Sequence, residues 1–376
     1  MRTKILAGVI LSVAINYAAA AQTASKGGTT PPPNPSQGPE STSDVGKYAN
    51  WDQLAAQARP GDYLLGKVDV DGPPVWQPIT VMVTCDDKPR YTARTDAKGY
   101  YRVISVNTTG KAPVDAAGQR SVTSQYTGCQ VQAHLAGFES NTVTIANRDA
   151  NDDPNIGTLT LRREEGARGS AVSSTSQSAP KDASKAFEKA RDELLDGKPD
   201  RAQHDLEKAV QIYPQYAEAW YQLGRIQERQ SNQQAAQNSF QKATAADPNF
   251  VPPYEHLAAM AARQHKYPEL LEYTTHALQL DPRGTPSLWY YDAMANDNLG
   301  HDDVAKASAE KGLLMDPVHT EPNIEQLLAV ILVKQHDYNG ALEHLRHCLT
   351  YYPSGPNADF MKQQAAQLEQ ALTASK

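Results

Sequence analysis

The residues with the clearest capacity for chemistry form a short run near the C-terminus, Glu343-His344-x-x-His347-Cys348. Residues three or four positions apart share one face of a helix, and carboxylate, imidazole and thiolate groups are the ligands that Zn²⁺ takes in proteins. The order matches neither the zinc motif H-E-x-x-H nor its inverse, H-x-x-E-H. Cys348 also stands where paired helices need a small buried residue. We therefore assign this run to helix packing and predict no metal site and no cofactor.

Two acidic runs could offer oxygen ligands to calcium. The first, Asp69-Val70-Asp71-Gly72, lacks the third acidic ligand and the distal glutamate of a calcium loop, and the second spans residues 149–153. Solvated turns explain both runs more simply, because nothing makes their oxygens converge on one point. The sequence also contains no nucleophile elbow, phosphate-binding loop or dinucleotide fingerprint. We predict no catalytic residues and no enzyme activity.

A ladder of five prolines organises the C-terminal half. Successive members stand 34, 34, 35 and 36 residues apart, and they are Pro214, Pro248, Pro282, Pro317 and Pro353. A period of this length indicates stacked supersecondary units rather than one globular core. Proline has no N–H to continue a helix, so each one ends the second of two amphipathic helices.

The helices that precede these prolines repeat small and bulky residues in register. The clearest unit has Trp220-Tyr221-Gln222-Leu223-Gly224, followed by Ala236, Phe240, Ala243 and Pro248. These residues resemble the tetratricopeptide (TPR) repeat. The resemblance implies five repeats over residues 183–355 and a capping helix over residues 356–376.

In TPR proteins the first helix of each repeat lines a concave groove that binds protein partners. Carried onto this chain, the resemblance implies a groove that contains Tyr221, Arg225, Arg229, Glu255, Arg263, Tyr290, Met294, Asp297, Asn298 and Lys334. Aromatic, Met and Arg side chains are frequent anchors of interfaces, and a mixed, solvated helix face is the alternative for each of them. Tyr221 and Arg225 replace the Lys and Asn of the carboxylate clamp of chaperone-binding TPRs. We therefore do not predict recognition of a C-terminal carboxylate.

The preceding segment, residues 45–162, reads as β-structure. Short alternating runs such as 79–85 and 129–134 are separated by turns, and seven such strands predict a small β-sandwich. Gly66-Lys67-Val68, the turn 95–101 and Gly137-Phe138 resemble the carboxypeptidase regulatory-like domain. That resemblance implies a transthyretin-like, non-catalytic sandwich. The family is also grouped with carbohydrate-binding-like folds, which gives an alternative function in glycan or cell-envelope binding.

Three cysteines occur, Cys85, Cys129 and Cys348. Cys85 and Cys129 both fall in strand-like segments of the one small domain, so we pair them as a disulfide. Two buried free thiols are the alternative, because free cysteine is a common core residue.

The N-terminus has the features of an export signal. Arg2 and Lys4 precede an apolar run of 13 residues, Ile5 to Tyr17, and Ala19-Ala20-Ala21 offers a cleavage site. A retained anchor is the alternative. Residues 22–44 are rich in Thr, Pro, Gly and Ser and predict a disordered linker, and residues 163–182 predict a second, flexible linker. The export signal predicts a secreted or periplasmic protein with no transmembrane segment in its mature form.

Net charge argues against one class of partner. From Ala183 onward, 18 Lys and Arg residues stand against 26 Asp and Glu residues, and the repeats therefore carry −8. Nucleic-acid binding needs a basic surface, so we exclude it. The sequence as a whole predicts a seven-stranded β-sandwich followed by an all-α TPR superhelix that works as a scaffold for a protein partner.

Overall fold

The computed structural model describes residues 63–72, 75, 77–96, 98–104, 126, 128–146, 153–165, 167–317, 319, 321–353 and 357–374. The predicted signal peptide 1–21, the linker 22–44 and residues 149–152 of the second acidic run lie outside these ranges. The described chain divides into two compact units, with the boundary between Gly284 and Thr285. None of the described helices is long and apolar enough to cross a bilayer.

The first unit begins with a β-sandwich of eight described strands. They are β1 (Tyr63–Val70), β2 (Thr80–Cys85), β3 (Lys88–Arg94), β4 (Tyr100–Ile104), β5 (Gln130–His134), β6 (Phe138–Ser140), β7 (Val143–Thr144) and β8 (Asn155–Arg163). One sheet has the order β4-β1-β8-β6 and the other β3-β2-β5-β7. The predicted sandwich is confirmed. Strand β6 was not among the seven predicted strands, because three residues are too few to show an alternating pattern.

Alternation along the strands builds the sandwich core. In β2, Val81, Val83 and Cys85 are buried, while the residues between them are only partly covered. Successive side chains of a strand point to opposite faces, so this pattern places one face of β2 in the core. Cys85 forms a disulfide with Cys129, which immediately precedes the neighbouring strand β5.

The turn before β4 has the chemistry that its sequence predicts. One carboxylate oxygen of Asp96 accepts hydrogen bonds from the backbone N–H groups of Lys98 (2.9 Å) and Tyr100 (2.8 Å). Gly99 has φ +86°, and a Cβ at this position would lie 2.5 Å from the carbonyl oxygen of Val68. Only glycine fits this position without strain.

Eleven described helices follow the sandwich. The first unit contains α1 (Lys181–Leu195), α2 (Pro199–Ile212), α3 (Ala217–Arg229), α4 (Gln233–Ala246), α5 (Pro252–Arg263) and α6 (Tyr267–Leu280). The second unit contains α7 (Pro286–Asn298), α8 (Asp302–Met315), α9 (Pro322–Lys334), α10 (Tyr338–Tyr351) and α11 (Ala358–Ala374). Each of the five ladder prolines stands two residues after the end of a second helix, namely α2, α4, α6, α8 and α10. The predicted helix pairs are therefore confirmed.

Small residues let paired helices pack closely. A Cβ on Gly224 of α3 would lie 2.7 Å from the ring of Phe240, which is fully buried on α4. Trp220 and Trp289 each occupy the fourth position of their own first helix, in α3 and α7. These equivalent positions agree with repeated helical hairpins.

The described residues of the segment predicted as a flexible linker, 163–165 and 167–182, are instead packed into the first unit. Ser170 pairs with the repeats through its backbone, because its N–H donates to the carbonyl of Asn249 (2.9 Å) and its carbonyl accepts from the N–H of Val251 (3.0 Å). Asp247 accepts from the hydroxyl of Ser173 (2.7 Å) and the backbone N–H of Ser174 (2.8 Å). The serines that made this segment look disordered are thus hydrogen-bonding partners of carboxylates that lie far along the chain.

Candidate protein-binding surfaces

The first candidate surface lies on α3 and α5 of the first unit. Tyr221 was predicted to line it, but its side chain is buried, at 5 % exposed, among Phe240 of α4, Phe250 of the following loop and His256 of α5. This is a correction to the predicted role. The ring lies beneath the surface, because Phe240, Phe250 and His256 cover it.

An arginine lies against the buried ring. The Arg225 guanidinium carbon lies 5.7 Å from the centre of the Tyr221 ring, and Arg225 donates to Gln222 at 3.1 Å. Burial raises the pKa of Tyr221, and the positive charges of Arg225 and of Arg94, at the end of β3, oppose that shift. The sandwich thus places a further guanidinium near this surface, which sequence reasoning missed because Arg94 is remote in the chain.

Arg229 extends the same charged surface by one helical turn. It is exposed, and residues four apart share a helix face, so it lies beside Arg225. Desolvation lowers the pKa of Arg229, and the adjacent charge of Arg225 lowers it further. Two neighbouring guanidiniums that remain charged at any physiological pH form a site for an anionic group.

An acidic residue whose charge acts on Arg229 is already paired with other side chains. Glu228 is buried and accepts from His256 Nδ1 at 2.8 Å and from Arg263 at 3.1 Å. Burial opposes ionisation of Glu228, but His256 and Arg263 outweigh it and lower its pKa. Arg263, a predicted groove residue, is therefore paired with Glu228. Glu255 is partly exposed, and its negative charge raises the pKa of Tyr221.

The second candidate surface lies on α7 and α9 of the second unit. Lys334 donates to Asp297 at 2.6 Å, and Asp297 is buried at 7 % exposed. Burial raises the pKa of Asp297 in spite of that ion pair. Asp297 therefore holds two helices together rather than presenting a free carboxylate, which corrects its predicted role. Tyr290 and Met294 are partly buried against the core, and Asn298 is exposed and donates to the carbonyl of Met294 at 2.9 Å.

A cluster of histidines lies elsewhere in the second unit. His344 and His347 of α10, which the sequence assigned to helix packing, both bond Glu325 of α9. His319, from the loop after α8, lies beside them, and one donor atom from each of His319, Glu325 and His347 falls within 4.8 Å of the others. Sequence reasoning missed this group because its members come from three separate segments, and Glu343 is not part of it.

Comparison with known proteins bears on the helical half of the chain. Residues 193–261 match a tetratricopeptide-repeat family model. No curated protein matches this chain. Solved structures with a similar fold include residues 41 to the end of MamA from Desulfovibrio magneticus RS-1, with 20 % identity, 47 % of this chain and 99 % of that chain covered, and a TM-score of 0.41.

Two further solved structures are similar at the same level. YrrB, described as a TPR protein with an unusual peptide-binding site, is 19 % identical, covers 52 % of this chain and 100 % of its own, and has a TM-score of 0.44. A tetratricopeptide repeat protein from Parabacteroides merdae is 17 % identical, covers 52 % and 75 %, and has a TM-score of 0.42. At these values the similarities carry no functional argument. Residues 193–261 are thus similar to the tetratricopeptide-repeat family, and the regular helix pairs of the C-terminal half form a TPR-like array.

Proposed function

We propose that this protein is an exported, non-catalytic scaffold whose repeats bind an acidic segment of a protein partner. The observation that carries the proposal is the arginine surface on α3, where Arg225 lies against the Tyr221 ring and the exposed Arg229 follows one helical turn later. The charge of Arg94, at the end of β3, also acts on Tyr221. The negative charge of Glu228 acts on Arg229, but that carboxylate is already paired with His256 and Arg263. The repeats carry a net charge of −8, so their overall charge does not attract an acidic partner. A local positive site on them would bind an acidic segment only at that position.

The ligand chemistry follows from the guanidinium groups. Paired arginines bind carboxylates through bidentate hydrogen bonds, and an extended peptide with several Asp or Glu side chains supplies such groups in a row. Nucleic acid is the other common polyanion, but the acidic charge on the remainder of the repeats opposes it. A protein segment is therefore the partner that this proposal names.

Fluorescence anisotropy of the full-length protein with two labelled peptides tests the proposal. One peptide is rich in Asp and Glu, and its neutral counterpart has Asn and Gln at the same positions. We expect the acidic peptide to bind at least ~10-fold more tightly, since charge-assisted pairs contribute about 1.5–3 kcal/mol each. Equal binding of the two peptides would count against a charge-selective site.

A matched pair of variants locates the site. Arg225→Glu with Arg229→Glu changes the charge by −4 on α3, and Arg201→Glu with Lys208→Glu makes the same change at exposed positions of α2. We expect the α3 variant to lose the acidic peptide and the α2 variant to keep it. An equal loss in both variants would mean that net charge, and not this surface, governs binding.

Export is a separate part of the proposal. The positive start, apolar run and small residues before Gln22 support cleavage after Ala21. Mass spectrometry of the protein recovered from a bacterial periplasmic fraction should give a mature chain that begins at Gln22. An uncleaved chain held in the membrane fraction would favour the retained-anchor alternative. The alternative of glycan binding through the sandwich has no support among the described residues.

A further inference from the structure

The histidine cluster of the second unit has the donor set of a metal site. Glu325 lies in the first turn of α9, with its side chain 3 % exposed, and His344 and His347 approach it from α10. His347 Nδ1 lies 2.5 Å from Oε1 of Glu325, and His344 Nδ1 lies 2.5 Å from Oε2. Each histidine of α10 therefore faces a different oxygen of one buried carboxylate.

Within this cluster, the position of His319 is not explained by an ordinary ion pair. Its Nδ1 lies 3.4 Å from the same Oε1 that His347 occupies, and this buried nitrogen has no hydrogen-bond partner among the described residues. A buried polar atom without a partner is costly, so its position needs a physical reason. A cation between His319, His347 and Oε1 would use the lone pair of each.

The surroundings hold these donors in place. The Tyr351 ring lies 4.3 Å from the His319 ring and 5.2 Å from the His347 ring, and the hydroxyl of Tyr352 donates to the main-chain carbonyl of His319. The site is thus built from side chains on two helices and one anchored loop, with Glu325 buried and His347 partly exposed to solvent. Such outer contacts orient metal ligands in characterised sites.

We propose that His319, Glu325 and His347 bind one divalent transition-metal ion, with Zn²⁺ the best fit. Two imidazole nitrogens and one carboxylate oxygen form a common zinc donor set, and water completes four-fold coordination. Ca²⁺ and Mg²⁺ fit less well, because they take oxygen ligands. His344 is a positioning residue, since it holds the second oxygen of Glu325 and so fixes the direction of the first.

Isothermal titration of the full-length, chelator-treated protein with ZnCl₂ tests this site. We expect one ion per chain, and we expect His319→Ala to weaken its binding by about 100-fold or more, because a direct ligand is lost. His344→Ala should weaken it by about 10- to 100-fold, as losses of outer-shell partners do. His336→Ala is the matched control, because His336 lies in the same unit, is exposed and bonds the hydroxyl of Tyr338 at 3.0 Å, away from the cluster.

Two further readouts keep the test decisive. His319→Ala leaves Glu325 paired with both histidines of α10, so it should fold, and circular dichroism checks that it does. Co²⁺ bound to the unmodified protein should give the visible absorption of a tetrahedral ion, which His319→Ala should abolish. No one-to-one binding, or binding that His319→Ala leaves unchanged, would overturn the metal site and leave a plain histidine–carboxylate cluster.

Discussion

At the scale of single residues, Glu218 of α3 connects the repeats to the segment that follows the sandwich, through hydrogen bonds to Ser173 and Ser176. One carboxylate oxygen accepts from the backbone N–H of Ser173 at 2.9 Å, and the backbone N–H of Glu218 donates to Ser176 Oγ at 3.0 Å. Burial raises the pKa of Glu218 to about 7, the Ser173 bond partly offsets this shift, and Asp247 adds to it. The residue is thus held in a place that disfavours its charged form.

The raised pKa makes a pH prediction with a definite sign. Because the folded pKa lies above the unfolded value, the contribution of Glu218 is fully present below about pH 4.5 and is lost as pH rises through about 7. We expect the free energy of unfolding to fall by about 3 kcal/mol across that window through this residue. Denaturant unfolding of the unmodified protein and of Glu218→Gln at pH 5 and pH 8 measures the difference. If the gap between the two proteins were independent of pH, the burial account of Glu218 would be wrong.

Gly224 provides a second residue-scale prediction. A Cβ here would meet the Phe240 ring at 2.7 Å, and that ring is fully buried. Alanine gains about 1 kcal/mol of helix propensity over glycine, but overpacking a filled core costs about 1–3 kcal/mol, and we expect overpacking to win. Thermal unfolding should therefore show a lower Tm for Gly224→Ala.

A double-mutant cycle checks the cause. Phe240→Leu removes the ring that the added methyl group would contact, so Gly224→Ala should cost less in that background than in the unmodified protein. Strict additivity of the two changes would show that the ring contact is not the reason for the glycine.

At the scale of elements, the segment 170–178 acts as a latch between the sandwich and α3 to α5. Asp247 is 4 % exposed, and its carboxylate holds Ser173 and Ser174. Asp247→Ala would remove the acceptor of the Ser174 N–H and one acceptor of the Ser173 hydroxyl, at a cost of about 1–3 kcal/mol. We expect trypsin to cut faster after Arg168 and Lys181, which flank the latch.

Asp192→Ala is the control for the latch. Asp192 is on α1, with its side chain 72 % exposed, and it lies 3.6 Å from the neighbouring Arg191 in a solvated pair. Mass spectrometry of the digests should show unchanged rates for this variant. Equal protection of residues 168–181 in Asp247→Ala and the unmodified protein would contradict the latch.

Local signals in the sequence were enough to predict the helices, but they did not predict the latch or the burial of residues at the candidate surfaces. Proline ends a helix wherever it stands, so the ladder predicted every repeat end. Serine-rich composition does not reveal that Asp247 and Glu218 are available as partners, so the latch was mistaken for a flexible linker. Tyr221 is buried by Phe240 of α4 and by Phe250 of the loop after α4. The residue spacing along α3 therefore could not predict that Tyr221 is buried.

At the scale of the whole molecule, the disulfide connects the fold to its proposed location. The bond between Cys85 and Cys129 closes a loop with a sequence separation of 44 in the sandwich. Loop closure of that length stabilises a fold by about 4 kcal/mol in the chain-entropy model. An oxidising compartment, such as the proposed export would provide, would keep the bond formed.

Reduction tests the contribution of the disulfide. The sandwich and α1 to α6 belong to one compact unit, so reduction should lower the unfolding temperature of that unit as a whole. Differential scanning calorimetry with and without a reductant measures the change, and Cys348→Ser is the control because Cys348 is a free, buried thiol. A transition that reductant leaves unmoved would mean that the bond adds nothing to stability.

The central claim is that α3 and α5 carry the site where a partner's acidic segment binds. Hydrogen–deuterium exchange of the full-length protein, with and without the acidic peptide, tests it most directly. We predict slower exchange in α3 (Ala217–Arg229) and α5 (Pro252–Arg263), with no such change in the Arg225→Glu, Arg229→Glu variant. Protection confined to other helices, or protection that survives the charge reversal, would contradict the account.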